Sequence, residues 1–481
     1  MASVSESREI PTTAQGGAGP TRPEDRVPVG QKLALGVGGF PFFTGALAVQ
    51  YIAQPIYQIV LGMSPLLFGL AMTIPRVFDA FTDPIMGAFS DNFRSRWGRR
   101  RPFIFFGALL SGLCFAAIWF VPRGIGSTGA FVYLLLTTLL FFSAFTVFSI
   151  PLTSLSYEMT PDYHERTRVM AFWSFFVTTG NLAINWYAPA THWDVFGGPL
   201  TGARWVGVVI GALIFAGFGV LPAIFTRERF YIKTQTQAKI TFWAAVRQAG
   251  SSRPMLMLVC LLLALNFCGT VAGSLAQYIV IYHVCGGDVK TGLFLNSLNG
   301  TGFAVVGFAF IPVIAWLSRR LGKRNAMFAV LGLAAAGGVS KWFIYTPSQP
   351  YLLLLDAVLN GPIWVALGVL VPSMMADLCD YDELRYGQRR EGIISSVFTW
   401  ITKVGLSFTF LFAGIALTLS GFDEKLGVDQ PEGTLSMMRA LFAFSSVLAP
   451  VLGIIALKYY AITEKRAEEI RHELEARRGR V

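Results

Sequence analysis

Apolar runs of roughly twenty residues or more, each long enough to cross a bilayer as a helix, alternate with short polar stretches along nearly the whole chain. They fall at 33–59, 66–89, 102–121, 130–153, 169–190, 205–225, 254–283, 291–317, 326–346, 351–375, 393–419 and 435–460. The pattern predicts an all-α membrane protein with twelve transmembrane helices. Two segments break the rhythm. Residues 1–30 are rich in Ser, Thr, Gly, Pro and charge and have no apolar core to repay the entropy of ordering, so a disordered arm is expected there. Residues 226–253 form a long basic linker between the sixth and seventh runs. The expected organisation is therefore an arm (1–30), a six-helix bundle (31–225), a linker (226–253), a second six-helix bundle (254–460) and a polar tail (461–481). No short apolar segment with a small-residue cleavage site precedes the first run, so the first span is expected to serve as its own insertion signal.

Composition agrees: of 481 residues 54% are hydrophobic and 14% charged, against roughly 25% charged in soluble domains. The basic residues are unevenly placed. One alternate set of connections holds Arg94, Arg96, Arg99, Arg100 and Arg101, then Arg227, Arg229, Lys233 and Lys239, then Arg319, Arg320, Lys323 and Arg324, then Arg385, Arg389 and Arg390. The other set holds little beyond Arg123, Arg204, Lys290 and Lys425. That asymmetry predicts cytoplasmic termini in a plasma or bacterial inner membrane. It also accounts for the net charge of +11 through contact with anionic membrane lipid, with no nucleic-acid partner. The five cysteines follow no CxxC or CxxH spacing, so they are read as packing residues and neither a metal site nor a disulfide framework is expected. Motifs of nucleophilic, zinc or phosphate-loop chemistry are missing and the four histidines are scattered, so the chain is not read as an enzyme.

A weak internal repeat sharpens the picture. SDNFRSRWGRRRP lies between spans two and three and SRRLGKRN between spans eight and nine, each two spans into a half of six. Six plus six with a charged middle loop resembles the major facilitator fold, whose solute site forms near the midplane between two bundles.

Span two carries the candidate chemistry. In RVFDAFTDP, Asp79 and Asp83 stand one helical turn apart on one face. A charged Asp in a bilayer costs roughly 3 kcal/mol or more, and two neighbouring carboxylates need a compensating cation or a shared proton. Oxygen ligands from Asp79, Asp83 and a hydroxyl such as that of Thr82 suit a hard monovalent ion, Na+, or a proton.

The stretch RVFDAFTDPIMGAFSDNFRSRWGRRRPF resembles the glycoside/pentoside/hexuronide:cation symporter family. Two further segments resemble it in order, IPLTSLSYEMTPDYHERTRV after span four and MMADLCDYDELRYGQRREGIISSVFTWITKVG entering span eleven. The resemblance implies a cation site of Asp79, Asp83, Thr82 and the span-four Thr146, with Lys403 neutralising the acids when the cation is absent and so coupling occupancy to helix packing. It fits the solute site poorly. The family's charged sugar clamp falls on Ser149, Thr153 and Ser174, and GVGGFPFFTG early in span one has no acid. Amides and aromatic rings at Gln50, Tyr51, Gln54, Trp173 and Asn181, with Ser149, Thr153 and Ser174, form the expected substrate contacts for a neutral hydroxylated solute. Asp91, Arg99 and Arg100 on one side and Asp377, Asp380, Arg389 and Arg390 on the other are expected to make a cytoplasmic gate that parts as the bundles rock. The expected function is symport of a sugar or glycoside with Na+ or H+ as coupling ion and no cofactor. Transport of a lipid-like amphiphile on the same fold is the alternative, compatible with the 41 phenylalanines and the missing clamp.

Overall fold

A computed structural model of the chain describes residues 26–122, 124–160, 163–228, 252–386, 391–423, 426 and 429–478. The described residues are helical or in connections, with no strand among them. Twelve long helical segments run back and forth in chain order: α1 Val29–Val60, α2 Pro65–Asn92, α3 Arg101–Ala117, α4 Gly126–Glu158, α5 Tyr163–Ile184, α6 Pro199–Phe225, α7 Arg253–Val284, α8 Val289–Leu321, α9 Lys323–Ile344, α10 Pro350–Arg385, α11 Val397–Leu419 and α12 Gly433–Lys458. Among the described residues nine of these are apolar and long enough to span by length and composition alone. The other three differ for physical reasons: α3 is short at 17 residues, α2 carries Arg76, Asp79 and Asp83 in its middle, and α5 mixes in polar residues along its length.

Each half has its own core. The first packs aromatic rings from α3, α4 and α6, with Phe115 5.4 Å from both Phe141 and Phe215 (ring centroids). Gly112 and Gly211 let α3 and α6 approach backbone to backbone, where a Cβ on either would strike the other's carbonyl. Small residues serve this purpose between membrane helices, where packing replaces the hydrophobic drive. The second core joins Leu258 and Leu261 of α7, Leu331 of α9, Ala366 and Leu370 of α10 and Ala456 of α12. Large apolar side chains such as Phe106, Leu113, Phe343 and Leu419 are 61–70% exposed on helix outsides. In lipid such faces lose nothing, since acyl chains are as apolar as they are.

The halves meet along a seam between α2 and α11. A Cβ at Gly69 would lie 2.7 Å from the Phe410 carbonyl oxygen, and one at Gly414 would lie 2.5 Å from that of Pro65. Prolines inside α2 (Pro75, Pro84), α4 (Pro151) and α10 (Pro362, Pro372) each remove an intrahelical hydrogen bond. Two stretches that composition assigns to polar ends pack on the helices. Val27 is buried, its N–H donating to Glu165 Oε1 at 2.9 Å, and α13, Glu464–Arg478, buries Ile470 and Leu474 against the second core. Residues 1–25, most of the linker at 229–251, and Arg389 and Arg390 of the expected gate lie outside the described residues, as does the side chain of Asp91.

Candidate functional site

Helix α2 presents Asp79 and Asp83 one turn apart, and α4 and α11 close on them. Thr146 of α4 donates its hydroxyl to Asp79 Oδ1 at 2.5 Å and lies 3.2 Å from Asp83 Oδ1. From the other half, the Lys403 ammonium lies 2.9 Å from Asp79 Oδ2 and also bonds Asp83 Oδ2. Asp79 is 6% exposed and Thr146 2%, so the carboxylates sit where an uncompensated charge is costly. Arg76, one turn earlier, is within electrostatic reach of both acids. Its guanidinium donates to the Ala46 carbonyl and lies 4.6 Å over the Phe142 ring. Two acids and two bases thus balance. The sequence expectation of Thr82 as a ligand has a different geometry: its hydroxyl donates to the Asp79 backbone carbonyl of its own helix at 3.2 Å. Arg76 was not singled out from the sequence, although it stands three residues before Asp79 in the same apolar run.

A cavity of about 1030 Å³ lies between the halves and reaches Arg76 and Lys403. Gln50, Tyr51, Gln54 and Asn181 line it. Ser149, Thr153, Trp173 and Ser174 do not. Ser149 is buried and its carbonyl accepts the Thr153 hydroxyl within α4, Trp173 packs on Phe42 at a centroid distance of 5.4 Å, and Ser174 is exposed away from the cavity lining. The far wall belongs to the second half. There Lys341 lies 3.3 Å from Asp356 Oδ2, with their side chains 10% and 3% exposed. Both line the cavity.

A family model described as MFS/sugar transport protein matches residues 34–464. The chain belongs to this family. It is 25% identical to a putative glycoside/cation symporter of Escherichia coli over 92% of this chain and 94% of that protein. It is also 23% identical to the sodium-dependent lysophosphatidylcholine symporter 1 of Mus musculus over 93% and 88% of the two chains. Among solved structures, a bacterial homologue of the human lysosomal transporter Spinster superposes with a TM-score of 0.65 at 16% identity, covering 92% of this chain and 97% of that one. The fold is that of the major facilitator superfamily, and the family consists of transporters rather than enzymes.

In this MFS frame, apart from the Lys403 tie to Asp79 and Asp83, five bonds between the halves lie at the face opposite the basic loops. Gln54 Nε2 donates to the Ser274 carbonyl at 3.3 Å, Tyr278 donates to Gln58 Oε1 at 2.8 Å, and Trp186 Nε1 donates to Thr301 Oγ1 at 3.1 Å. Ser297 donates to the Asn185 carbonyl and Lys290 pairs with Asp194. At the basic face, each half has ion pairs of its own among the described residues. Arg99 and Arg100 reach Glu158 at 2.9 and 2.8 Å, and Lys323 reaches Asp377 at 2.7 Å. In both halves a base after the second helix meets an acid near the end of the fourth, so the sequence repeat has a structural counterpart. Glu228 adds a contact the sequence reading missed, accepting the backbone N–H groups of Arg99 and Arg100 at 2.9 and 2.8 Å where α3 begins. Asp380 is half-buried in α10.

Proposed function

We propose that the protein is a secondary active symporter that binds Na+ or H+ at Asp79 and Asp83 and carries a neutral hydroxylated solute, a sugar or glycoside, across the plasma or bacterial inner membrane, with the basic face and both termini in the cytoplasm. The observation that carries the reading is Lys403 of one half bonded to both carboxylates of the other. An ammonium already fills the place of a cation, so an entering ion competes with it and loosens a tie between the halves. Cation binding is thereby linked to the movement that alternates access. Coupling is reciprocal: whatever factor the ion adds to solute affinity, the solute adds to ion affinity.

The bonds across the opposite face fit a conformation closed to the outside. The amides of Gln50, Gln54 and Asn181 on the cavity wall favour hydroxyl groups over an acyl chain. The relative named as a lysophosphatidylcholine symporter keeps the amphiphile reading in the test. Uptake into proteoliposomes under an imposed Na+ or proton gradient should concentrate a sugar or glycoside, and Asp83→Asn should abolish that uptake in a folded protein. Concentrative uptake of lysophosphatidylcholine with no sugar uptake would replace the solute class, and undiminished uptake by both Asp79→Asn and Asp83→Asn would remove the ion site.

A further inference from the structure

The second half contributes a buried polar cluster that the ion site does not use. Asp356 is 2% exposed, yet it borders the cavity. Its Oδ1 accepts from Asn360 Nδ2 at 2.6 Å, and its Oδ2 accepts from the Tyr345 hydroxyl at 2.7 Å and faces Lys341 at 3.3 Å. Three donors from α9, the turn after it and α10 hold the carboxylate in one orientation. Oδ1 keeps room for one more donor, because a carboxylate oxygen accepts two. The Lys341 ammonium has three N–H groups; one side faces Asp356 and another lies 4.7 Å over the Phe442 ring. Asn299 of α8, 9% exposed and also on the cavity wall, has an Oδ1 with no hydrogen-bond partner. A buried acceptor left open beside a cavity is the mark of a group awaiting a ligand or water.

We propose that Lys341, Asp356, Tyr345, Asn360 and Asn299 form a second solute subsite, one that grips neighbouring hydroxyls of a neutral glycosyl unit from the C-terminal half. The inference rests on the symport reading above and narrows its solute. Donors and acceptors alternate within the cluster, and a hydroxyl is the ligand group that both donates and accepts. One hydroxyl of a vicinal pair donates a hydrogen bond to Asp356 Oδ1 while its neighbour accepts one from Lys341. The ion pair cancels its own charge, so the subsite offers no net attraction to an anion. Gln50, Gln54 and Asn181 stand on the wall contributed by the other half, so one solute held by both walls bridges the bundles. Helix α8 also carries Ser297 and Thr301, which bond Asn185 and Trp186 just after α5 at the sealed face. A solute that takes hold of Asn299 therefore acts on the helix that closes that seal.

The test uses full-length protein in detergent, with thermal stability followed across graded melibiose, cellobiose, maltose and xylobiose, and across Na+ concentration and pH. Asp356→Asn should weaken the apparent affinity for the stabilising sugar about tenfold, and Asn299→Ala, which leaves the ion pair whole, about threefold. Both variants should respond to Na+ and pH as the wild type does, which a merely structural disturbance would not preserve. Sugar affinity unchanged in both variants overturns the subsite and leaves the symport reading standing. A wild-type protein stabilised by lysophosphatidylcholine and by none of the sugars overturns the solute class and the subsite together.

Discussion

Two lysine–carboxylate clusters border one cavity, and they differ in what they join. Lys403 and the pair Asp79 and Asp83 come from different halves, 320 and more residues apart in the chain. Lys341 and Asp356 come from consecutive helices of one half. A tie between halves must break whenever the bundles rock, so its lysine needs a substitute, and a transported cation can be one. A tie within a half survives the motion and can hold its geometry for a solute. Under the proposed mechanism similar electrostatics serve exchange in one place and permanence in the other, and the partition of charge across the moving boundary decides which.

Substitutions that break this contrast should rank by how directly they touch the exchanged charge. Asp83→Asn or Asp79→Asn should have the largest effect, loss of gradient-driven uptake in proteoliposomes by a hundredfold or more, about 3 kcal/mol, with the folded fraction in detergent unchanged. Asp356→Asn and Asn299→Ala, within the permanent cluster, should spare the cation response and weaken solute binding as described. Gly414→Val should follow, because a Cβ there meets the Pro65 carbonyl oxygen at 2.5 Å and overpacking costs about 1–3 kcal/mol. The seam between α2 and α11 should then open, raising the thiol reactivity of a cysteine introduced on its opposite-face end; unchanged reactivity would show that the seam is not held there.

The smallest effect belongs to Asp288, the N-cap of α8, whose carboxylate accepts from the backbone N–H groups of Lys290 and Thr291. The Thr291 hydroxyl and these N–H groups hold its carboxyl below the usual carboxylate range. A lowered folded-state value means that this stabilisation is present at neutral pH and is lost as pH falls through it. Asp288→Ala should lower Tm by about 1 °C at neutral pH and by nothing at a pH well under the ordinary Asp value of about 3.9. A Tm difference that persists in acid would assign the loss to packing instead.

Much of the fold was legible because lipid imposes a length and an apolarity on every crossing helix, and because basic loops alternate with poor ones. Asp79, Asp83 and Lys403 stood out by the same rule, being charges inside apolar runs. That rule applied equally to Arg76, Lys341 and Asp356, which went unremarked: attention to the paired acids hid single charges on separate spans, whose pairing only the helix packing displays. Thr146 came from family resemblance, since nothing in FFSAFTVFSI distinguishes its hydroxyl from that of a helix that bonds its own backbone. Thr82 shows that second case, turning to the Asp79 carbonyl. Ser149, Thr153 and Ser174 were placed by position in a clamp whose charges this chain lacks, and Trp173 as an aromatic ring for a hydroxylated solute; Ser149 and Thr153 bond within their own helix, Trp173 packs on Phe42 and Ser174 is exposed away from the cavity lining. Of the gate, Asp377 pairs with Lys323, and Arg99 and Arg100 pair with Glu158, partners that only the helix packing brings into reach.

The exchange of Lys403 for a transported cation is the claim on which the account turns, and cation affinity in Lys403→Met measures it most directly, by Na+ titration calorimetry alongside a pH titration of the same protein. With its competitor removed, the acid pair should bind the coupling ion about tenfold tighter or more, while added sugar no longer changes that affinity. An affinity equal to the wild type, or a weaker one, with the solute effect intact, would contradict the account.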